Sequence, residues 1–161
     1  MASTEGRMAL FIEDEIRVMG RTASGVRGIN LNDTDCVGLE VVTLEDNILI
    51  VTRNGYGKKT LVNEFRTTKR GSKGVKALNI TEKNGSLVAF KIIKDDQDLM
   101  IITNSGMIIR LPLEQISQLG RVTQGVRLIN LKDKQVVSTI SIVDKEEEID
   151  KTIQEEAEIN N

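Results

Sequence analysis

The sequence predicts an all-β protein of three repeated units of about 50 residues, each a four-stranded, propeller-type blade, followed by an acidic C-terminal tail. Three observations predict it. The chain repeats itself three times, each unit carries a hairpin signal at the same place, and each period has room for four short strands.

The repeat aligns without gaps over the centre of the unit. The first unit reads Gly6, Ile16, Gly20-Arg21, Gly25-Val26, Ile29 and Leu31. The second reads Gly55, Phe65, Lys69-Arg70, Gly74-Val75, Leu78 and Ile80, and the third Gly106, Ile116, Gly120-Arg121, Gly125-Val126, Ile129 and Leu131. The offsets are 49 and 51 residues. A period of this size means units that share their cores with their neighbours. The blades are bounded approximately at 1–46, 47–97 and 98–143, and 144–161 is the tail.

Within the middle unit, Ile48 to Thr52 is an apolar, β-branched run that reads as a first strand. Asn54-Gly55 then supplies the positive φ angles of a two-residue hairpin turn, and Tyr56 to Leu61 returns. Glu5-Gly6 and Ser105-Gly106 occupy the same place in the other units. A polar stretch follows, then Gly74 to Ile80 as a third strand, a turn at Asn84-Gly85, and Leu87 to Ile93 as a fourth. Cys36 sits in an apolar strand context and is expected to be packed. Ile149, Ile153 and Ala157 are spaced four apart, so 146–159 reads as either helix or a disordered tail.

The composition removes most catalytic machinery. The 161 residues contain no His, one Cys and no Trp. A Ser-His-Asp triad, a Cys-His pair and the common zinc sites each need a His or several Cys. Aromatic residues are Phe11, Tyr56, Phe65 and Phe90, too few for single-strand stacking platforms. Gly55-Tyr56-Gly57-Lys58-Lys59-Thr60 lacks the spacing and the following helix of a phosphate loop. Asp33/Asp35 and Asp95-Asp96 fall where exposed turns favour Asp. Neither a metal nor a cofactor is expected in this chain. Without a membrane-length apolar run or a signal peptide, the reading is a soluble cytoplasmic protein.

A net charge of −2 hides a division along the chain. From Asp144 to Asn161, eight acidic residues face two basic ones, so the tail is strongly negative and the body mildly basic. Positive charge concentrates on the middle unit. Arg53, Lys58, Lys59, Arg66, Lys69, Arg70, Lys73 and Lys76 face Glu64 alone, whereas the matching window from Thr4 to Arg27 is neutral. Asn104 to Arg127 carries three basic residues against Glu114. Such a run suits duplex DNA, whose phosphates are neutralised by Lys and Arg with release of counterions. Gly71 and Gly74 would let backbone N–H groups approach phosphates, although turn-making alone also accounts for Gly25, Gly74 and Gly125.

The residues then select a family. A WD40 blade would carry Gly-His and Trp-Asp marks, which a chain without His or Trp lacks. Asn54-Gly55-Tyr56-Gly57-Lys58-Lys59-Thr60 and Thr68-Lys69-Arg70-Gly71-Ser72-Lys73-Gly74-Val75 resemble the C-terminal domain of bacterial DNA gyrase A. Gly20-Arg21-Thr22-Ala23-Ser24-Gly25-Val26 and Gly120-Arg121-Val122-Thr123-Gln124-Gly125-Val126 resemble other blades of that domain. The resemblance implies a six-bladed β-pinwheel whose basic rim binds and bends duplex DNA, with this chain as its last three blades. Met1 aligns with Ile50 and Ile101, inside a first strand, so the chain reads as a fragment of a longer polypeptide. The family's wrapping box, Gln-Arg-Arg-Gly-Gly-Lys-Gly, is matched by Thr68 to Gly74 at Arg70, Gly71, Lys73 and Gly74, conservatively at Lys69, and not at Thr68 or Ser72. These letters make a degenerate relative of the box.

The expected DNA contacts are Arg53, Lys58, Lys59, Arg66, Lys69, Arg70, Lys73 and Lys76, with Arg21 and Arg121 in the neighbouring units. The resemblance further implies DNA wrapping in support of ATP-dependent supercoiling. ATP, Mg and cleavage would belong to the complete enzyme, with the remainder of gyrase A and with gyrase B as partners. The equivalent domain of topoisomerase IV is the alternative within the family, and a protein-interaction propeller the alternative outside it.

Overall fold

The computed structural model describes residues 1–145. The expected helix or disorder of 146–159 lies outside them. Eleven strands are formed among the described residues. β1 is Ala2–Ser3, β2 Arg7–Met8 and β3 Cys36–Gly38 in the first unit. The second unit supplies β4 (Asn47–Thr52), β5 (Tyr56–Leu61), β6 (Val75–Lys76) and β7 (Leu87–Ile93). The third supplies β8 (Gln97–Thr103), β9 (Ile108–Pro112), β10 (Val126–Arg127) and β11 (Val137–Asp144).

The strands form three antiparallel sheets, ordered β3-β1-β2-β6, β10-β5-β4-β7 and β11-β8-β9. The sheets are not the sequence units. β6 leaves its own unit and pairs with β2 of the one before, Arg7 opposite Lys76 and Met8 opposite Val75. β10 does the same to β5, with Val126 opposite Gly57 and Arg127 opposite Tyr56. Two sheets therefore have four strands, and the third has three among the described residues.

The exchanged strand is also shorter than the expected Gly74 to Ile80. After Lys76 the chain kinks, because the amides of Ala77 and Leu78 both donate to the Gly6 carbonyl, at 2.8 and 3.2 Å. Leu128 and Ile129 repeat this on Gly55, at 2.8 and 3.3 Å. The kink drives Ala77 and Leu78 inward, and both are fully buried.

The hairpins differ from the expected two-residue turn. Gly55 has φ +79°, but Asn54 does not enter the left-handed region. Gly55 N–H donates to the Thr52 carbonyl at 3.0 Å, and Tyr56 N–H to the Thr52 hydroxyl at 3.3 Å. This is a three-residue loop in which the glycine alone needs a positive φ. Ser3 and Thr103 play the part of Thr52 in the other units, accepting from the amides of Arg7 and Met107.

Packing follows from strand periodicity. Along β4, Ile48 and Ile50 enter one hydrophobic cluster with Ala2, Met8 and Phe65 of the first interface. Leu49 and Val51 point the other way, into a second cluster with Leu99, Ile101 and Ile116. The alternation places the middle sheet between two cores, which is why its first strand is apolar on both faces. Truncating Ile50 to Ala would cost roughly 2–5 kcal/mol by removing buried methyl groups and leaving a cavity.

Cys36 corrects the expectation of a packed thiol. It is exposed, because β3 is only three residues long and forms the edge of its sheet. The long strands β7 and β11 lie against each other, and β3 lies against β7. The fourth strands thus make the hub, and the exchanged strands β6 and β10 form the opposite, outer edges of their sheets.

Candidate nucleic-acid interface

The loop from Arg66 to Lys76 runs between the second unit's own sheet and the outer edge of the sheet before it. Arg66, Lys69, Lys73 and Lys76 are all exposed on it. Among the described residues, the side chains of Arg66, Lys69 and Lys73 have no ion-pair or hydrogen-bond partner. Lys76 makes one bond, from Nζ to Asn79 Oδ1 at 3.0 Å. Gly71 and Gly74 have φ +76° and +67° and turn the loop so that these cations face outward. Arg53, in the β4–β5 turn, and Arg21, in the first unit, are exposed too.

Two of the expected contacts are corrected. Lys58 is 0% exposed, and its ammonium donates to the carbonyls of Gly120 and Arg121 at 2.7 and 2.8 Å and to Thr123 Oγ1 at 3.2 Å. Burial lowers its pKa to about 8, against the opposing pull of Glu64. Lys59 is buried as well and pairs with Asp95 at 2.9 Å. Both belong to β5, which is buried along all but its last residue, and their ammonium groups are taken by these protein partners.

Arg70 and Arg121 are half-buried and tie successive units together. Arg70 N–H donates to Glu15 Oε2 at 2.8 Å, and its guanidinium to the carbonyls of Glu15 and Arg27 at 3.2 and 2.6 Å. Arg121 repeats the pattern, its N–H on Glu64 Oε2 at 2.9 Å and its guanidinium on the Lys76 carbonyl. A guanidinium with fixed donors suits this task.

Three cations that the sequence reading passed over join the exposed set. Arg27 and Arg127 hold the repeat position of Lys76 and are exposed. That shared position was the available signal. Lys83 is the third. Its Nζ and the Arg127 guanidinium lie 5.6 and 5.5 Å from the Tyr56 ring centroid, and Arg127 also donates to the Tyr56 hydroxyl. These residues, with Lys132 and Lys134, line an open cavity of about 380 Å³ at the seam of the second and third units. No group of three or more metal-ligating side chains occurs among the described residues. No helix there is long and apolar enough to cross a membrane.

Residues 1–42, 46–94 and 97–144 each match the family model described as DNA gyrase C-terminal domain, beta-propeller. The chain belongs to this family. Among curated relatives, DNA gyrase A of Staphylococcus epidermidis (strain ATCC 12228) is 50% identical over 141 residues, 86% of this chain and 16% of that protein. DNA gyrase A of Staphylococcus aureus (strain NCTC 8325) is 47% identical over 159 residues, 97% of this chain and 18% of that one. The chain thus spans less than a fifth of the curated relatives it matches. Among solved structures, the C-terminal domain of DNA topoisomerase IV superposes with a TM-score of 0.81 at 22% identity, over 99% of this chain and 50% of that one. A gyrase A C-terminal domain gives 0.74 at 23% identity, over 88% and 48%. Both likenesses are of fold: the family is a β-pinwheel of type IIA topoisomerases, and the strand exchange is how these units join.

Proposed function

We propose that this chain binds duplex DNA along its outer edge and, as part of a gyrase A C-terminal domain, wraps it in support of ATP-dependent supercoiling. One observation carries the reading. Arg66, Lys69, Lys73 and Lys76 stand outward on one loop-and-strand segment, and Arg27 and Arg127 hold the position of Lys76 in the flanking units. A row of cations repeated at the blade spacing follows a backbone carrying a charge per ~1.7 Å of axis. Contacts of this kind position a duplex without reading its bases.

ATP hydrolysis, Mg-dependent cleavage and contact with gyrase B lie in this reading with the complete enzyme. In this reading the chain contributes DNA binding and the chemistry belongs to the rest of the enzyme. The test is retention on linear duplex across a salt series, paired with topoisomer analysis of relaxed plasmid closed in the chain's presence. Binding that falls with salt and is equal on unrelated sequences supports the reading. Retention on neither DNA would overturn it and favour a propeller that binds proteins.

A further inference from the structure

The cavity of about 380 Å³ between the second and third units collects positive charge. Lys83 enters it from the second unit and Arg127, Lys132 and Lys134 from the third, and Asp133 is the one acid on its walls among the described residues. Neutral amides and the buried Tyr56 make up most of the remaining polar lining.

These cations have no counter-charge. The side chains of Lys132 and Lys134 make neither an ion pair nor a hydrogen bond among the described residues, and Lys83 meets only the Tyr56 ring, its Nζ 5.6 Å from the centroid. Arg127 meets neutral groups alone. Its Nε and Nη2 donate to the Tyr56 hydroxyl at 3.2 and 2.9 Å, and its Nη1 to Asn130 Oδ1 at 3.2 Å. Three of the five guanidinium N–H donors are thus used, and the tyrosine fixes the direction of the rest. Lys134 stands in the left-handed region, at φ +66°, where Asn and Asp sit more easily. Its carbonyl accepts from Asn104 Nδ2 at 3.2 Å, which holds that turn. Like charges gathered in a concave surface repel one another and raise the local concentration of anions.

The seam of the first and second units shows that this charge is no by-product of the repeat. There Glu5, Arg7, Thr34 and Thr81 hold the positions of Asn54, Tyr56, Lys83 and Lys132. Arg7 spends its guanidinium on the carbonyls of Lys73 and Gly74, at 3.1 and 2.8 Å. Of the two seams, only the second has a ring in that place and cations left over.

We propose that this cavity binds linked phosphate groups, Arg127 and Lys83 taking one phosphate beside Tyr56 and Lys132 and Lys134 the next. Four cations against one acid leave three positive charges unmatched, more than a carboxylate or a single phosphate neutralises. The volume falls within the ~300–1,000 Å³ of small-molecule sites. A guanidinium with free N–H groups suits phosphate oxygens, and the ammonium groups act as point charges. Two sources share this chemistry: adjacent phosphates of a DNA strand, and a free polyphosphate. The site therefore stands independently of duplex binding at the outer edge.

Inorganic triphosphate is the probe. Tyr56 is the sole tyrosine and Trp is absent, so intrinsic emission reports this cavity. Titration of the 161-residue chain at ~0.1 M salt should change that emission saturably, with one triphosphate per chain by calorimetry and a Kd below about 1 mM. Lys83→Gln with Lys134→Gln, both exposed positions, should raise Kd tenfold or more and leave the circular dichroism spectrum unchanged. Lys132→Gln alone, a milder variant, should raise it about threefold. Lys91→Gln with Lys94→Gln removes the same charge away from the cavity and should leave Kd within about twofold. Duplex DNA that displaces the triphosphate identifies DNA as the source, and duplex that binds alongside it identifies a free polyphosphate; both results support the site. A chain that retains no duplex yet binds triphosphate defeats the DNA-binding function and supports the site. No saturable binding, binding that leaves Tyr56 emission unchanged, folded cavity variants with wild-type affinity, or an equal loss in the Lys91 and Lys94 variant would each overturn the proposal.

Discussion

Arg70 reaches back across the repeat to the backbone carbonyl of Arg27, its Nη1 donating at 2.6 Å. A residue that reads as a phosphate contact is thus spent on holding the first unit against the second. Lys69 and Lys73, on either side of it, have no such partner among the described residues. The basic loop therefore divides into cations that build it and cations that it displays.

The first prediction separates these roles. Lys69→Ala with Lys73→Ala should flatten the slope of log K against log salt by about 1.8, at ~0.9 per phosphate contact. Stability should change by no more than ~0.5 kcal/mol, as for exposed loop positions. Arg70→Ala should instead cost about 1–3 kcal/mol, because it leaves two carbonyls without their donor. Denaturant melts alongside salt titrations check this, and equal stability in both variants would refute the division.

Lys58 gives the second. In the unfolded chain its pKa is the ordinary 10.5, and in the folded chain burial lowers it to about 8. Between those values the unfolded state holds a proton that the folded state has released, so Lys58 makes stability rise with pH across that window. Below pH 8 both states are protonated, and its cost is full and constant. Lys58→Met removes this dependence, so wild type should gain on the variant by about 1 kcal/mol per pH unit from pH 8 to 10. Parallel stability curves would contradict it.

Lys58 also shows what was legible in the sequence. Its repeat equivalents are Ala9 and Ile109, an apolar position, so burial could have been read from the alignment. A window count of charges hides this, because it ignores the strand alternation that sends neighbouring side chains to opposite faces. Strand positions were legible for the same reason: Tyr56–Leu61 and Leu87–Ile93 end where turn residues dictate. The exchange of β6 and β10 was not. A period says where strands recur, while the sheet a strand joins is set by tertiary contacts such as Ala77 and Leu78 on the Gly6 carbonyl.

The third prediction concerns the repeated outer position. Arg127→Ala should weaken DNA binding about as much as Lys76→Ala, each flattening the salt slope by ~0.9. The loss should be equal on unrelated duplexes. A loss at Lys76 alone would confine the contact to the middle unit.

The tail gives the fourth. Residues 144–161 carry eight acidic and two basic groups, a polyanion on the same chain as the basic edge. Removing 146–161 should tighten DNA binding at low salt, and the gain should fade near physiological ionic strength, where charges are screened over ~8 Å. Unchanged affinity at low salt would make the tail a solubilising end.

The fifth prediction tests the strand exchange through two glycines with similar backbones and different neighbours. Gly74 and Gly106 have φ +67° and +80°. A Cβ on Gly106 meets nothing within 4 Å, whereas one on Gly74 would sit 2.2 Å from Met8 O, in the sheet of the preceding unit. Gly106→Ala should therefore cost only the left-handed conformation, roughly 1–2 kcal/mol. Gly74→Ala carries that cost plus a clash with backbone that cannot rotate away, so it should lose a further ~1–3 kcal/mol by pushing β6 off β2. Subtracting one melt from the other removes the conformational part and leaves the contact between units. Equal losses in the two variants would mean that β6 is not held against β2.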